Sequence, residues 1–204
     1  MSVLAALIDA IPSVPPRGGR RIIAIAGAPA SGKSTLANTL SIEIPNSCIL
    51  PMDGFHRDND YLSHHNLLSR KGAPETFDVV GFLAIVRSLA KHREIDFPIF
   101  DRGNDCSVEK GGKVLATDQT IIVEGNYLLL DEEPWRALAK YWDYSVFLDV
   151  PLEVLQARLV QRWLDNGYDH DGAVARAQGN DIPNAKRTVQ RCLTADHVVS
   201  LAGL

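Results

Sequence analysis

The stretch Gly27–Ser34, which reads Gly-Ala-Pro-Ala-Ser-Gly-Lys-Ser, constrains the fold of this chain more than any other part of it. It follows an apolar run, Ile22–Ala26, that is typical of a buried strand, and it opens a helical pattern over Lys33–Ile42. The glycines let backbone N–H groups turn inward around phosphate oxygens, and the helix N-terminus adds partial positive charge. The motif therefore predicts a strand, a phosphate-binding loop and a helix, in that order.

The motif also predicts the ligand of the loop. In a sequence of the form G-x-x-x-x-G-K-[ST], the lysine, here Lys33, reaches the β- and γ-phosphates, and the hydroxyl, here Ser34, is placed to ligate Mg²⁺. The expected ligands are thus a nucleotide and Mg²⁺. The residues of the loop expected to contact the nucleotide are Gly27, Ala28, Pro29, Ala30, Ser31, Gly32, Lys33, Ser34 and Thr35.

Apolar runs and helical patterns alternate along the rest of the chain. Further strands are predicted over Cys48–Met52, Thr120–Val123, Tyr144–Val150 and His197–Leu201, and helices over Val79–His92, Pro134–Tyr141 and Pro151–Asn166. This alternation favours an α/β fold with a mostly parallel sheet. The stretch Asp105–Thr117 carries Gly111 and Gly112 between two short segments and is a candidate hairpin.

The N-terminus is expected to form an element of its own. Val3–Ile11 is apolar, lacks a preceding basic region and is interrupted by Asp9, so a short amphipathic helix is favoured over a signal peptide. A linker rich in proline and glycine, Ser13–Gly19, follows it. We expect residues 1–16 to form this helix and linker and residues 17–204 to form one domain.

Charge and cysteine content exclude several classes of function. The 204 residues include 21 Lys and Arg against 25 Asp and Glu, a net charge of −4, which argues against a nucleic-acid polymer as the main partner. No stretch approaches ~18 uninterrupted apolar residues, so no membrane span is expected. Three scattered cysteines without metal-ligand spacing suit reduced thiols in a cytoplasmic protein.

Acidic residues follow two of the predicted strands. Parallel sheets open their ligand crevice at the carboxyl ends of the strands. Glu124, at the end of the strand that begins at Thr120, is therefore the candidate Mg²⁺ ligand beside Ser34. Asp53, after the preceding strand, is a candidate general base that accepts the proton of an attacking hydroxyl, although an Asp before Gly54 is also common in turns.

Two arginines share one face of the last predicted helix. Arg158 and Arg162 are four residues apart, so their guanidinium groups can close together over a triphosphate and neutralise charge in the transition state. A solvated basic face, paired with Glu153 or Asp165, is the alternative. We favour a lid over about residues 151–180, hinged in the glycine-bounded loop that follows the helix.

Five segments occur in an order typical of one kinase family. They are Gly27–Ser34, Asp53-Gly54-Phe55, Phe100-Asp101-Arg102, Val123-Glu124-Gly125 and the helix with Arg158 and Arg162. Together they resemble the P-loop small-molecule kinases that include uridine kinase, phosphoribulokinase and bacterial pantothenate kinase. Two further stretches, Pro51–His56 and Arg70–Asp78, look closer to the subgroup of uridine-kinase-like or fructose-transport-system kinases.

The resemblance implies a P-loop NTPase fold, with a five-stranded parallel sheet, helices on both faces and an Arg-bearing lid helix. It also implies ATP and Mg²⁺ as cofactors. It implies that Asp53 is the general base and Glu124 the Mg²⁺-associated acid, while Lys33, Arg158 and Arg162 stabilise charge. The residues expected at the acceptor are Asp53, His56, Arg57, Phe77, Asp78, Asp101, Arg102, Asn126 and Tyr127. Asn180 and Asn184 lie in a stretch that resembles one in the subgroup and are expected to contact the adenine.

The acceptor is expected to be a small polar metabolite. Uridine kinases read the base partly with a His, and the matching region, Arg102–Ser107, has none. The chain is also far shorter than typical bacterial pantothenate kinases. A fructose-like sugar is therefore favoured, with a nucleoside or pantothenate as alternatives and a homodimer left open. A regulatory P-loop NTPase is the alternative from another class, but the guanine reader Asn-Lys-x-Asp is absent from the sequence.

Overall fold

A computed structural model describes residues 3–91 and 93–200, and within them the five predicted strands form one parallel sheet. The strands are β1 (Arg21–Gly27), β2 (Ser47–Pro51), β3 (Ile95–Asp101), β4 (Cys106–Val114), β5 (Thr120–Gly125), β6 (Tyr144–Asp149) and β7 (His197–Ser200). The parallel sheet has the order β2-β5-β1-β6-β7. In its centre, Ala24 of β1 pairs with Val123 on one side and Ser145 on the other. The predicted parallel sheet is confirmed, and Leu201 lies outside the described residues.

Helices cover both faces of this sheet. They are α1 (Val3–Ser13), α2 (Lys33–Glu43), α3 (Asn59–His64), α4 (Val79–Leu89), α5 (Leu152–Asp165), α6 (His170–Arg176) and α7 (Ile182–Gln190). Alternate residues of β1 point to opposite faces, so Ile23 packs in a cluster with Leu40 of α2, whereas Ile22 packs in a second cluster with Phe82 of α4. The predicted two-sided architecture is thereby confirmed.

The N-terminal helix packs on the same face as α2. Leu7 and Ile11 of α1 are fully buried, in one cluster with Leu36 and Leu40 of α2. The first helix therefore shares the core of the sheet rather than standing apart from it. Among the described residues, no helix is long and apolar enough to cross a membrane.

The hairpin is present, but the predicted position of its turn is wrong. β3 and β4 pair antiparallel with Phe100 opposite Ser107, so the turn lies at residues 102–105. Gly111 and Gly112 lie inside β4, where a Cβ atom on Gly112 would stand 2.2 Å from the Phe97 ring. These glycines permit close side-chain packing against β3 and do not form a turn.

Two predicted helices differ in length or type from those in the structure. The helix that begins at Val79 ends at Leu89, and His92 of the predicted helix lies outside the described residues. The segment predicted as the helix Pro134–Tyr141 is a 3₁₀ helix over Trp135–Tyr141. Both corrections concern element ends and short turns, where periodicity is least informative.

Glu132 and Arg187 form a network of ion pairs that links three segments of the chain. Glu132 Oε1 accepts hydrogen bonds from Arg187 Nε of α7 at 3.0 Å and from Arg191 Nη1, directly after α7, at 2.9 Å. Arg187 Nη1 also donates to Glu75 Oε2 at 3.0 Å. The hydrogen bonds from Arg187 are the main reason that the pKa of Glu132 lies below its usual value.

We expect Glu132→Gln to lower the free energy of unfolding at pH 7 by about 1–3 kcal/mol, since it weakens hydrogen bonds between charged groups. A lowered pKa means that this stabilisation is present above the ordinary Glu pKa and is lost as the pH falls through the lowered value. Urea unfolding at pH 7 and at pH 3 measures both effects, with Glu43→Gln, an exposed site, as control. If Glu132→Gln lowered the free energy of unfolding by the same amount at both pH values, the carboxylate charge would be excluded as the source of the loss.

Candidate active site

The phosphate-binding loop connects β1 to α2, as the sequence predicts. Gly32 has φ +99°, in the left-handed region that favours glycine, and Ala30 has φ +63°. These conformations fold the loop around a cavity of about 300 Å³. This P-loop cavity is lined by Pro29, Ala30, Gly32, Lys33, Ser34, Thr35, Asp53, Arg102, Glu124, Gly125, Asn126 and Arg162.

Lys33 is the buried cation of this cavity. Its side chain begins in the first turn of α2, only 7% of the residue is exposed, and its Nζ atom donates to the Ala28 carbonyl at 2.9 Å. Burial lowers the pKa of Lys33 to about 8, although the charges of Glu124 and Asp53 act in the opposite direction. A buried ammonium with one carbonyl partner fits a site that receives phosphate oxygens.

Ser34 and Glu124 place two oxygens side by side at the same cavity. Ser34 Oγ donates to Glu124 Oε2 at 3.3 Å, and Glu124 is 8% exposed at the carboxyl end of β5. Burial raises the pKa of this carboxyl, and the charge of Lys33 counteracts the rise. A hydroxyl and a carboxylate oxygen fit Mg²⁺, which is commonly bound through one or two carboxylates, waters and substrate phosphates.

Asp53 lies in the wall between the P-loop cavity and a second cavity. It occupies a 3₁₀ turn, Met52–Phe55, directly after β2, and its Oδ2 atom accepts from Arg102 Nη2 at 2.9 Å. The second, large cavity has a volume of about 1190 Å³. Five residues line both cavities and mark their junction: Pro29, Asp53, Arg102, Asn126 and Arg162.

An aromatic wall surrounds His56 in the large cavity. The imidazole lies between the rings of Phe77 and Phe100, with ring centroids 4.1 and 4.6 Å away. His56 Nδ1 lies 2.8 Å from the Asp53 carbonyl oxygen, to which it must donate because a carbonyl has no proton. Burial lowers the pKa of His56, so the ring is neutral at pH 7. It therefore positions the backbone of Asp53 without adding charge.

Four predicted acceptor residues lie elsewhere. Arg57 and Asp78 form an ion pair of 2.9 Å beside a third cavity of about 460 Å³, which shares His56 with the large cavity, and Asp78 also accepts from Gly81 N at the start of α4. Asp101 accepts from the backbone and side chain of Asn104 in the hairpin turn, which lowers its pKa. Tyr127 is fully buried and donates to the Gly72 carbonyl at 2.6 Å. Their predicted contact with the acceptor stays a prediction.

The lid arginines face the phosphate-binding loop. Arg158 Nη1 donates to the Ala30 carbonyl at 3.2 Å, and Arg162, one turn later on α5, lines both cavities. The loop between α5 and α6 spans residues 166–169, with Gly167 at φ +86°, whereas residues 170–172 of the predicted hinge loop belong to α6; the hinge itself stays a prediction. Two cations of α5 thus lie beside the phosphate-binding loop, and their predicted contact with phosphates stays a prediction.

Asn180 and Asn184 connect the segment after α6 to the loop around Lys71. Asn180 Nδ2 donates to the Lys71 carbonyl at 2.8 Å, and Asn184 Nδ2 donates to Asn180 Oδ1 at 3.1 Å. Asn184 also lines the large cavity. These bonds fix the backbone of the loop around Lys71, and the predicted adenine contact stays a prediction.

Comparison with known proteins shows the family. The model of the phosphoribulokinase / uridine kinase family matches residues 22–201. The chain belongs to this family. It is therefore a P-loop phosphotransferase that acts on a hydroxyl of a small metabolite, and the family implies use of ATP.

Relatives and solved structures agree with this assignment. A crystal structure of a "putative fructose transport system kinase" from Silicibacter sp. TM1040 is 45% identical, with TM-score 0.94 over 98% of this chain and 100% of that chain. The protein YggC of Escherichia coli K12 is 35% identical over 96% of this chain and 83% of its own. A uridine kinase from Shewanella halifaxensis is 32% identical over 69% of this chain and 68% of its own.

Sequence reasoning missed several residues of the large cavity of this kinase. Lys71, Trp163, Arg176 and Asp181 line it but come from segments up to about a hundred residues apart. Lys71 Nζ pairs with Asp105 at 2.9 Å and anchors the hairpin turn. No spacing in the sequence relates Lys71 to the other three, because the cavity forms only where distant segments of the chain meet.

Proposed function

We propose that the protein transfers the γ-phosphate of ATP to a hydroxyl of a small polar metabolite, with a fructose-like sugar favoured. The observation that carries this proposal is the place of Asp53, in the wall shared by the P-loop cavity and the large cavity. A base at that junction can reach a hydroxyl in one cavity that attacks a phosphate in the other. We assign the part of the large cavity beside Asp53 to the acceptor.

The roles of the residues follow from their positions. Asp53 accepts the proton of the attacking hydroxyl, while Lys33 and Arg162 balance charge on the phosphates from the loop and from the lid. Arg102, which pairs with Asp53, holds this carboxylate at the junction. Mg²⁺, held by Ser34 and Glu124, would neutralise charge on the phosphate oxygens.

Two observations support a sugar over the alternatives. The wall of the large cavity carries the neutral His56 ring and the polar groups of Asp53, Arg102 and Asn126, which suit short-range contacts to hydroxyls. The name of the Silicibacter relative also points to fructose. A nucleoside remains the second candidate because Phe77 and Phe100 border the cavity and a relative is named uridine kinase.

We also place the reaction in the cytoplasm, in line with three free cysteines.

A screen of acceptors tests this proposal. Purified full-length protein with Mg²⁺ and ATP is supplied with fructose and other sugars, with nucleosides or with pantothenate, and ADP release is measured. We expect release to depend on one acceptor class, with sugars ahead of nucleosides. Equal ADP release with and without every acceptor would contradict transfer to a metabolite and favour a regulatory NTPase.

A further inference from the structure

Lys71 lines the large cavity, yet the proposed reaction gives it no role. Its Nζ atom lies 2.8 Å from Asn59 Oδ1, 2.8 Å from the Asp105 carbonyl oxygen and 2.9 Å from Asp105 Oδ1. An ammonium has three N–H donors, so these three oxygens use all of them. The side chain is also only 11% exposed. Lys71 therefore holds segments of the protein together and has no N–H group left for a ligand in the cavity.

The backbone around Lys71 is fixed by buried side chains. Asn180, in the segment after α6, donates from Nδ2 to the Lys71 carbonyl at 2.8 Å. Tyr127 donates to the next carbonyl along the chain, that of Gly72, at 2.6 Å. Gly72 N donates in turn to Thr76 Oγ1 at 3.0 Å. Because its backbone is held in this way, Lys71 can impose a position on the groups that its ammonium contacts.

The ammonium of Lys71 contacts the hairpin on both sides of its turn. On the β3 side it lies 5.1 Å from the centroid of the Phe100 ring, within the range of a cation–π contact. On the β4 side it binds Asp105, which has φ +52°, in the left-handed region that a residue with a Cβ atom enters at a cost. Contacts at both ends therefore hold the turn at residues 102–105 in one conformation.

Arg102 lies in this turn, and its ion pair depends on the turn. The Arg102 side chain is 63% exposed, and its Nη2 atom donates to Asp53 Oδ2 at 2.9 Å. An exposed ion pair stabilises little by itself, because ordering two side chains costs conformational entropy. A turn of fixed conformation lowers this cost, since the backbone that carries the arginine is already in place. The orientation of the Asp53 carboxylate is thus linked to the lysine that holds the turn.

We propose that Lys71 is a positioning residue of the transfer reaction: it holds the turn at residues 102–105, so that Arg102 keeps the carboxylate of Asp53 directed at the acceptor hydroxyl. The inference rests on the proposed function and extends it from the groups at the reacting atoms to a residue that acts on the base through another residue. Lys71 binds neither substrate in this role. Its loss slows the chemical step and leaves substrate binding unchanged.

Lys71→Met tests the inference in the full-length protein, with Mg·ATP and the acceptor that most stimulates ADP release. Misplacing a reacting group by about 1 Å can cost ~10²-fold in rate, so we expect kcat to fall by about 10-fold for a partly misdirected base. KM for ATP and KM for the acceptor should stay within about two-fold of the wild type. Turnover is expressed per Mg·ADP-binding site titrated by calorimetry, so unfolded protein does not count as a loss of kcat.

A double-mutant cycle tests whether the effect passes through Arg102. In an Arg102→Gln background no ion pair with Asp53 remains to be positioned, so Lys71→Met should lower kcat by no more than about two-fold further. Asp105→Asn removes the charge that Lys71 binds, keeps a residue type that tolerates the left-handed region, and should show the same pattern. Asp105 is 58% exposed, so this variant is expected to fold even where Lys71→Met does not.

Lys113→Met is the matched control. Lys113 lies on the same hairpin, pairs with Glu94 at 2.8 Å and lines none of the described cavities. Its loss removes an ion-paired lysine from β4 without touching the turn. We therefore expect kcat and both KM values of this variant to equal those of the wild type.

Several outcomes would overturn the inference while the proposed function stands. A rise in KM for the acceptor that persists in the Arg102→Gln background would make Lys71 a binding residue. An equal loss of kcat in both backgrounds would show that Lys71 does not act through Arg102. Unchanged kcat in Lys71→Met, or in Asp105→Asn if Lys71→Met does not fold, would show that the base needs no such support. Failure of every acceptor to stimulate ADP release would instead overturn the proposed function and this inference together.

Discussion

Asp53→Asn should reduce acceptor-dependent ADP release by about 10²–10⁴-fold, the usual contribution of general base catalysis. The amide keeps the size of the side chain but cannot take up the proton of the hydroxyl. Asp53 is also the partner of Arg102 at 2.9 Å, so the substitution removes an ion pair together with the base. Affinity for Mg·ADP, measured by calorimetry, should change only a few-fold, because the loop amides and Lys33 remain.

A parallel variant separates the two effects of this substitution. Arg102→Gln removes the ion pair but keeps the carboxylate, so a smaller loss of kcat than in Asp53→Asn supports the role of Asp53 as base. Asp60→Asn, an exposed carboxylate that lines none of the described cavities, controls for the loss of one negative charge. Full turnover of Asp53→Asn with the best acceptor would show that the base is another group.

Lys33→Met should lower phosphate transfer by about 10²–10³-fold, the usual effect of removing one pre-organised group that stabilises charge.

The same substitution should stabilise the nucleotide-free protein. The pKa of Lys33 is lowered to about 8 by burial, so keeping the ammonium charged at pH 7 costs free energy in the folded state. We expect the free energy of unfolding to rise by roughly 1–3 kcal/mol in urea at pH 7.

The pH dependence of the wild type provides a second measurement of Lys33. The ammonium loses its proton as the pH rises through about 8, so kcat/KM for ATP should fall above that pH. Between pH 8 and the ordinary pKa of Lys, the Lys33 side chain binds more protons in the unfolded chain than in the folded one. The contribution of Lys33 to the free energy of unfolding therefore increases with pH over this range. Lys33→Met should remove this increase.

The matched control for Lys33 is a lysine outside the cavities. Lys186→Met removes an exposed ammonium on α7 and should change neither transfer nor the free energy of unfolding beyond a few tenths of a kcal/mol. A Lys33→Met protein that loses transfer but unfolds at lower urea concentration than the wild type would contradict the cost of burying this charge.

Local patterns in the sequence were sufficient for the nucleotide half of the site. The loop Gly27–Ser34 needs a strand before it and a helix after it, and all three are contiguous in the chain. Glu124 could be placed because the carboxyl ends of neighbouring parallel strands meet at one edge, and the structure brings its Oε2 within 3.3 Å of Ser34 Oγ. Neither conclusion requires a distant side chain to be positioned.

The acceptor half of the site could not be predicted in the same way. Gly111 and Gly112 suggested a turn, but in the structure they permit close packing inside β4. Arg57 and Asp78 have residue types that suit hydroxyl binding, and only the structure shows that they pair with each other beside a cavity that shares His56 with the large cavity. Residue type indicates what a side chain can bind, whereas packing between distant segments decides what it faces.

The sequence by itself determined the class of this protein, an α/β P-loop kinase, and placed two acidic residues, Asp53 and Glu124, at strand ends. Those features depend on contiguous motifs and on the geometry of parallel sheets. Only the tertiary structure decided that Asp53 lies at the junction of two cavities and that Arg176 is held on Trp163 without a carboxylate partner in the described chain. Both arrangements depend on how separate elements pack, Asp53 beside Arg102 of the hairpin and α6 on α5, and no local pattern encodes those contacts.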